Sequence, residues 1–438
     1  MFGRKTAMAI GLAAALTSSA ASALEGPIPA GVPQLDHVWV IVMENHGINQ
    51  IFQNPYAPFI NSWVLKANAA TNYYAIAHPS LTNYLEIVGG SNFGVLSDNN
   101  PDWHNTSCVT NLASGVPNTD NPPSPKICPI AGIGTDAATP AVDTTNETSG
   151  PPGSISIDGP SSLPAAANIS GKTIADQANE HSLTWKSYQE NLPLTGADNV
   201  NYSDGVFDNN TPFGSIVQLT PPLSTANIVA LYAAKHNPFV YFKSIQEGLK
   251  AGPSSSGNNE DGQHGNPASK SFENIVGFDG QNGFYADLAS GNVPKFSFIA
   301  PNQCNDMHGR GNGTAFCNYD PNNNGTQNGL NPGLIYQGDV AVNKLYLAIK
   351  ASPAWKQGKN AIVLVFDEND YATAPINNRV MMLVDKNYGP LGVQSSRFYT
   401  HFSLLKTIEA GLRLPCLNHA CDNIIPVMSE LFSEASED

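Results

Sequence analysis

One serine stands where a nucleophile could be activated, in the stretch AHPSLTNYLEIVGG at residues 77–90. Apolar residues follow Ser80 at helical spacing: Leu81, Tyr84, Leu85 and Val88. Gly89 and Gly90 then supply the signal that ends a helix. Ser80 would begin this helix, where unpaired backbone N–H groups favour negative charge. Either Ser80 caps the helix or it attacks an anionic group. Asn83 stands where a capping box has Glu or Gln, and its amide can donate a hydrogen bond to an anion.

Side chains of metal-binding types follow three short apolar runs. VWVIVM (38–43) leads into Glu44-Asn45-His46, FSFIA (296–300) leads towards Asp306 and His308, and AIVLVF (361–366) leads into Asp367-Glu368-Asn369-Asp370. His236 precedes a fourth run, FVYF (239–242). In open α/β sheets, ligands bind beyond the carboxyl ends of the strands. We therefore expect these side chains to collect at one sheet edge, although any single acid could equally be a solvated turn residue.

The strands and helices that must position these residues have the sequence pattern of an α/β fold. The four runs, with VMMLVD (380–385), are short and nearly continuous, as in strands buried on both faces of a mainly parallel sheet. Helical patterns such as NKLYLAIKAS and SLLKTIEAGL lie between the runs. This alternation predicts a mainly parallel central sheet with helices on both faces. Residues 24–438 are expected to form one domain, with long loop insertions at about 95–165 and 250–335.

The N-terminus has the pattern of an export signal. In residues 1–23, Arg4 and Lys5 precede the apolar segment AMAIGLAAAL and a small-residue cleavage site. No later run approaches the ~20 apolar residues of a membrane span. We therefore predict a secreted or periplasmic protein without stable membrane insertion.

The cysteines fit an oxidising compartment. They form three near-neighbour couples: Cys108 with Cys128, Cys304 with Cys317, and Cys416 with Cys421. Sequential disulfides that pin the loops are the simplest pairing. A zinc site is the alternative, but the sequence has no C-x-x-C pair.

The charge balance excludes one class of partner. The formal net charge is −15, and loss of the two positive charges in residues 1–23 makes it −17. Nucleic acid is a poor partner for such a surface, because its binding needs Lys and Arg to neutralise phosphates. An anion site must be built locally from a metal ion, helix ends or a few histidines. The sequence does not specify an oligomeric state.

Six segments in order resemble a known family. They are VWVIVMENH, HPSLTNYLEIVGG, KHNPFVYF, FIAPNQCNDMHG, VLVFDEND and FYTHFSLLKTIEAGL, spread from residue 38 to about 412. Together they resemble the secreted phosphoesterases that include bacterial acid phosphatases and non-specific phospholipases C. That family is similar in fold to the alkaline phosphatase superfamily.

The resemblance implies a role for each matching residue. The implied metal ligands are Glu44, Asn45, Ser80, Asp367, Glu368, Asp306 and His401. The implied nucleophile is Ser80, with Asn83 and His236 near the phosphate and His308 supplied by the same segment as Asp306. Oxygen ligands suit Mg, Ca or Mn, whereas Asp306, His308 and His401 would suit Zn, Mn or Fe, so one or two divalent ions are expected. His236 or His308 could protonate the leaving oxygen.

The resemblance implies a secreted, metal-dependent phosphomonoesterase that works through a phosphoserine intermediate. The end of the chain shortly after the last motif favours this activity. The alternative is a phospholipase C acting on phospholipid head groups, but residues 95–165 hold few large apolar side chains for a lipid-facing lip. A non-catalytic binding protein is disfavoured because the nucleophile and the ligand types are all present.

Overall fold

The strand at the centre of the main sheet is His37–Met43, in which six buried apolar residues follow a half-buried histidine. The chain is described by a computed structural model over residues 25–93, 95, 98, 171–192, 232–242, 244–245, 271–279, 282–309, 332–370 and 378–434. The strands are β1 (His37–Met43), β2 (Asn68–Ala70), β3 (Tyr73–Tyr74), β4 (Trp185–Gln189), β5 (Ile275–Val276), β6 (Phe296–Ala300), β7 (Asn360–Phe366), β8 (Met382–Lys386), β9 (Gln394–Ser395) and β10 (Tyr399–Thr400). The helices are α1 (Ile48–Ile51), α2 (Pro58–Val64), α3 (Ser80–Gly89), α4 (Ile174–Glu180), α5 (Phe284–Ser290), α6 (Pro332–Ala351), α7 (His401–Leu412) and α8 (Ser429–Phe432).

The main sheet has eight strands in the order β5-β4-β6-β1-β7-β8-β2-β9. The five strands from β5 to β7 are parallel to one another, whereas β8 runs antiparallel to both β7 and β2. Val40 of β1 pairs with Phe298 of β6 on one side and Val363 of β7 on the other. The mainly parallel α/β sheet predicted from the sequence is therefore confirmed. The carboxyl ends of β6, β1 and β7 lie side by side at one edge.

Most of the predicted strands form, with one exception. The runs at 38–43, 296–300, 361–366 and 380–385 become β1, β6, β7 and β8. The run at 239–242 is not a strand, because Pro238–Tyr241 forms a 3-10 helix that begins at the proline. A short buried apolar run has no periodicity that separates a strand from a helical turn. Strand β4 was not predicted, because Lys186, Ser187 and Gln189 interrupt its apolar pattern.

Helix α3 carries the serine and is buried on every side. It packs against α7, and the short 3-10 helices at Ala234–His236 and Pro238–Tyr241 also contact it. It ends at Gly90, which has a left-handed φ of 68°. A Cβ atom there would lie 2.5 Å from the carbonyl oxygen of Leu417, so glycine is required both for the turn and for the close approach.

Part of the cysteine and export predictions can be compared with this structure. Cys416 and Cys421 form a disulfide, and Cys304 is also disulfide-bonded. Cys108, Cys128, Cys317, the predicted signal segment 1–23 and most of the two loop insertions lie outside the described residues. Within the described ranges, no helix is long and apolar enough to span a bilayer. The one-domain organisation stays a prediction.

Candidate active site

Backbone hydrogen bonds join the carboxyl ends of three strands at one place. The N–H of Glu44, directly after β1, donates to the carbonyl oxygen of Asp306 at 3.0 Å. The N–H of Asp367, directly after β7, donates to the carbonyl oxygen of Met43 at 2.9 Å. Residues that are more than 300 positions apart in the chain are thereby brought to one edge of the sheet.

Three buried carboxylates form a cluster at this edge. One oxygen from each of Glu44, Asp367 and Glu368 lies within 4.8 Å of the others. Oδ1 of Asp367 accepts hydrogen bonds from the backbone N–H groups of Asn45 (3.0 Å) and Glu368 (2.7 Å). Among the described residues, Oδ2 of Asp367 and Oε2 of Glu44 have no hydrogen-bond partner. Buried carboxylates need a compensating charge, so these two oxygens fit a divalent cation.

The three carboxylates of the cluster repel one another when no metal ion is bound. Burial raises the pKa of Asp367 and of Glu368 well above the usual range, and the charge of Glu44 raises both further. Burial also acts to raise the pKa of Glu44, but the positive charges of Lys235 and His236 outweigh it and lower that pKa well below its usual value. Glu44 therefore stays ionised, and its neighbours resist ionisation until a positive charge arrives.

The side chain of Ser80 points into the cluster and does not cap its own helix. Pro79 is the N-cap residue of α3, and its side chain makes no capping hydrogen bond. Oγ of Ser80 instead donates to Oε1 of Glu368 at 3.0 Å, and Nζ of Lys235 donates to Oγ at 3.3 Å. The hydroxyl thus has a proton acceptor on one side and a cation on the other.

Glu368 is held in place by two further residues. Its Oε2 lies 2.7 Å from Nδ1 of His78 and accepts from Nδ2 of Asn83 at 3.2 Å. Oδ1 of Asn83 accepts from the backbone N–H groups of Ile76 and Ala77, both at 3.0 Å. The amide of Asn83 thus orients Glu368 and the loop before Ser80, and its contact with phosphate stays a prediction.

His236 bridges two acids. Its Nε2 contacts Oε1 of Glu44, its Nδ1 lies 3.2 Å from Oδ2 of Asp306, and its ring stacks on Tyr84. Burial acts to lower the pKa of His236, but the two carboxylates raise it to about 9. His236 is therefore an imidazolium that is held by Glu44 and Asp306.

His308 lies beside this bridge. Its backbone N–H donates to Oδ1 of Asp306 at 2.8 Å, and its Nδ1 lies 2.9 Å from the carbonyl oxygen of Gly309. Burial lowers the pKa of His308, so the neutral ring carries its proton on Nδ1. The opposite nitrogen is then the one that can exchange a proton with a reactant.

His401, which the resemblance implies as a metal ligand, lies against the backbone of Asp367. Its Nδ1 lies 2.9 Å from the hydroxyl oxygen of Tyr73, and its Nε2 lies 2.6 Å from the backbone carbonyl oxygen of Asp367. Burial lowers its pKa to about 4. Both ring nitrogens therefore have hydrogen-bond partners, and Nε2 contacts the backbone of Asp367.

Sequence reasoning missed two residues of the site. Nζ of Lys235 contacts Ser80, lies 3.5 Å from Oε1 of Glu44, and donates to Oδ2 of Asp98 at 3.1 Å. His78 contacts Glu368 as described above. Both residues lie inside segments that were already singled out: Lys235 begins KHNPFVYF, and His78 begins HPSLTNYLEIVGG. Their place in these segments was the available signal.

Comparisons with known proteins agree with the resemblance inferred from the motifs. A family model described as the Phosphoesterase family matches residues 50–317, more than half of the chain. Ser80, His236 and Asp306 fall inside this match, whereas Glu44 and Asp367 fall outside it.

Two curated relatives and one solved structure illustrate the similarity. An acid phosphatase of Aspergillus fumigatus is 22% identical over 350 residues, covering 79% of this chain and 48% of the relative. A phosphate-repressible acid phosphatase of Penicillium chrysogenum is 23% identical over 350 residues, covering 79% and 52%. The chain thus spans about half the length of these curated relatives. A protein of the alkaline phosphatase superfamily from Vibrio parahaemolyticus aligns with 91% of this chain and 72% of its own, at 10% identity and a TM-score of 0.41.

Proposed function

The chain belongs to the phosphoesterase family, and from this membership we propose that it hydrolyses phosphate monoesters with Ser80 as the nucleophile. One observation carries the proposal. A buried hydroxyl at the start of a ten-residue helix contacts both a carboxylate, Glu368, and a cation, Lys235, beside a cluster of three acids.

The site can activate Ser80 by the contacts it already makes. A serine hydroxyl is a weak nucleophile until a base or a metal lowers the cost of losing its proton. Glu368 accepts the hydrogen bond from Oγ, so the proton has an acceptor when Oγ attacks phosphorus. The N-terminus of α3 adds partial positive charge where the phosphoryl oxygens would lie. The product of this step is a phosphoserine at residue 80.

The residues proposed to hold a divalent cation are Glu44, Asp367 and Glu368, with Asn45 as a further oxygen ligand. The unpartnered oxygens of Glu44 and Asp367 support this set, and the chemistry of oxygen ligands favours Mg, Ca or Mn. When bound, the ion would supply positive charge that favours the serine alkoxide. Asp306 and His401 are left out of the set, because His236 occupies Oδ2 of the first and hydrogen bonds occupy both nitrogens of the second.

His308 is the proposed proton donor to the leaving group in its imidazolium form: the Nε2 proton passes to the leaving oxygen, and the neutral ring that remains keeps its proton on Nδ1. The sequence left His236 and His308 as alternatives for this role. Both nitrogens of His236 contact carboxylates, whereas His308 directs only Nδ1 to a carbonyl oxygen. After the alcohol departs, the same nitrogen of His308 can take a proton from the water that hydrolyses the phosphoserine.

A hydrolysis panel tests the activity and its alternative. Wild type, Ser80→Ala and Ser297→Ala are compared on a phosphomonoester, a phosphodiester and phosphatidylcholine. Ser297 is a matched control because it is a fully buried serine near the amino end of β6, whereas the site lies at the carboxyl end. We expect the monoester to be the best substrate, with turnover lost only in Ser80→Ala and phosphoserine detected by mass spectrometry after acid quenching. Preference for phosphatidylcholine would favour the phospholipase C activity instead.

We also propose that the protein is exported after removal of residues 1–23. The signal-like N-terminus and the Cys416–Cys421 disulfide support this proposal, since disulfides persist in oxidising compartments. The mass of the protein recovered outside the cytoplasm tests it. A recovered chain that still begins at Met1 would contradict it.

A further inference from the structure

A lysine that sequence reasoning missed lies against the nucleophile. Nζ of Lys235 is 3.3 Å from Oγ of Ser80 and 3.1 Å from Oδ2 of Asp98. The side chain of Lys235 is only 12% exposed. Since carboxylates surround it, Lys235 is a fixed cation beside the reacting hydroxyl.

The carboxylate of Asp98 also contacts the start of the nucleophile helix. Its Oδ1 accepts from the backbone N–H of Leu81, the second residue of α3, at 3.0 Å, while its Oδ2 accepts from Lys235. The carboxylate of Asp98 thus bridges the N–H of Leu81 and the ammonium group of Lys235, which lies next to Oγ of Ser80. It carries one negative charge over its two oxygens. Two nonbridging oxygens of a phosphoryl group present the same pattern of charge and acceptors.

We propose that Lys235 and the N–H of Leu81 bind the nonbridging oxygens of the substrate phosphoryl group, and that Asp98 fills their place in the substrate-free protein. This inference rests on the proposed function, because it names the charge that the nucleophile's substrate must carry. Asp98 is the replaceable partner, since a third of its side chain is exposed, whereas the side chain of Lys235 is 12% exposed and Leu81 is buried.

The charges of the site explain why the substrate needs this lysine. Glu44, Asp367 and Glu368 put negative charge where a phosphate must approach, and His236 is already engaged by Glu44 and Asp306. Among the described residues, Lys235 is the lysine in contact with Ser80. When the dianionic group of a monoester replaces the single charge of Asp98, it gains more from Lys235 than a singly charged diester does. Lys235 therefore favours monoesters.

Replacing Asp98 gives the decisive experiment, because its two possible roles predict opposite changes in phosphate affinity. Loss of a residue that fills the phosphate position should strengthen phosphate binding, whereas loss of a residue that only supports Lys235 should not. Binding of inorganic phosphate is measured by isothermal titration calorimetry, and inhibition by phosphate is measured in parallel. If Asp98 occupies the phosphate position, Asp98→Ala should bind phosphate about tenfold more tightly, the scale of one hydrogen bond to a charged group. Unchanged or weaker phosphate binding would overturn the proposal, since Asp98 would then only support Lys235.

Variants at Lys235 test the second half of the proposal. Lys235→Met should weaken phosphate binding and lower kcat/KM for a monoester by about 10²- to 10³-fold, as for loss of one transition-state donor. The loss on a diester should be smaller, and Lys235→Arg should restore most of the phosphate binding. Equal losses on both ester types, or phosphate binding that Lys235→Met leaves intact, would contradict the assignment. If Lys235→Met does not fold, Asp98→Ala decides alone.

A matched pair elsewhere serves as the control. Lys295 and Asp36 form a similar ion pair at 3.2 Å, directly before the amino ends of β6 and β1, whereas the site lies at the carboxyl ends of these strands. Lys295→Met and Asp36→Ala should change neither phosphate binding nor turnover. Wild-type protein that binds phosphate but hydrolyses no monoester would contradict the proposed function, whereas the sign of the Asp98→Ala effect decides the present inference.

Discussion

Neutralising Asp367 without changing its shape should make the metal-free protein more stable. Carboxylate oxygens of Glu44, Asp367 and Glu368 lie within 4.8 Å of one another. Two unit charges at that separation repel by about 3 kcal/mol at an effective dielectric constant of about 20. Because burial and the charge of Glu44 raise the pKa of Asp367 and Glu368, partial protonation already removes some of this repulsion. We expect Asp367→Asn to gain about 1–3 kcal/mol in unfolding free energy without metal.

The substitution preserves the local hydrogen bonds. The amide oxygen of an asparagine can accept from the N–H groups of Asn45 and Glu368, as Oδ1 of Asp367 does now at 3.0 and 2.7 Å. Its NH₂ group would replace Oδ2, which has no hydrogen-bond partner among the described residues, and could donate to a neighbouring carboxylate. The gain is therefore electrostatic rather than a consequence of altered packing.

Thermal unfolding with and without metal is the assay. A cation that binds only the folded wild type adds about 3 kcal/mol to the free energy of unfolding when its concentration is a hundred times its dissociation constant. Wild type should therefore melt below Asp367→Asn in chelator and gain stability with Mg, Ca, Mn or Zn, while the variant responds little and loses turnover. Asp385→Asn is the matched control, because Asp385 is also buried but pairs with Lys350 at 3.2 Å, so its loss should destabilise. If Asp367→Asn melts below metal-free wild type, the cluster is not repulsive and the cation site is wrong.

Three further predictions concern single residues. Ser80→Ala should lower turnover by roughly 10⁴- to 10⁶-fold while its urea midpoint stays near wild type, because Ser80 makes no capping bond; near-normal turnover would exclude it as the nucleophile. His401→Gln should keep the metal-dependent rise in melting temperature, since both ring nitrogens have hydrogen-bond partners; loss of that rise would make His401 a ligand. Asp339 accepts from the N–H groups of Phe59 and Ile60, and burial raises its pKa to about 6 from 3.8. The folded state then binds this proton more tightly than the unfolded state, so up to roughly 3 kcal/mol of stability present below pH 4 is lost as the pH rises through 6. Urea unfolding at pH 4 to 7 should therefore show the advantage of wild type over Asp339→Asn shrinking with pH, and an advantage that grows would contradict the assignment.

Much of the architecture could be predicted from local pattern. The runs that became β1, β6 and β7 are continuous and apolar because both faces of these strands are covered, and that burial is visible in the residue types themselves. The apolar spacing after Ser80 likewise predicts α3, and Gly90 ends the helix as expected. Polar side chains directly after β1 and β7 meet because parallel strands end at one edge. Glu44 and Asp367 could therefore be placed together without coordinates.

Side chains that make their contacts across distant segments could not be placed in this way. The apolar run 239–242 satisfies the pattern of a buried strand, yet Pro238 begins a 3-10 helix there. The roles implied for Asn83 and His401, contact with phosphate and with metal, did not include the hydrogen bonds that these side chains make to Glu368 and to the backbone of Asp367. Residue type states which bonds a side chain can make, and the neighbours in the fold decide which it does make.

The sequence by itself determined which residue types stand at strand ends and helix starts, because alternation, helical spacing and glycine stops act over a few residues. It determined Ser80 at a helix N-terminus and acids after β1 and β7. Only the tertiary structure decided that Lys235 contacts Ser80 and Asp98, that His236 bridges Glu44 and Asp306, and that His401 turns to the backbone of Asp367. These contacts join residues from about 35 to nearly 200 positions apart. The strand order and register of the sheet set the distances between these residues. Neither the order nor the register can be deduced from a local periodicity of the sequence.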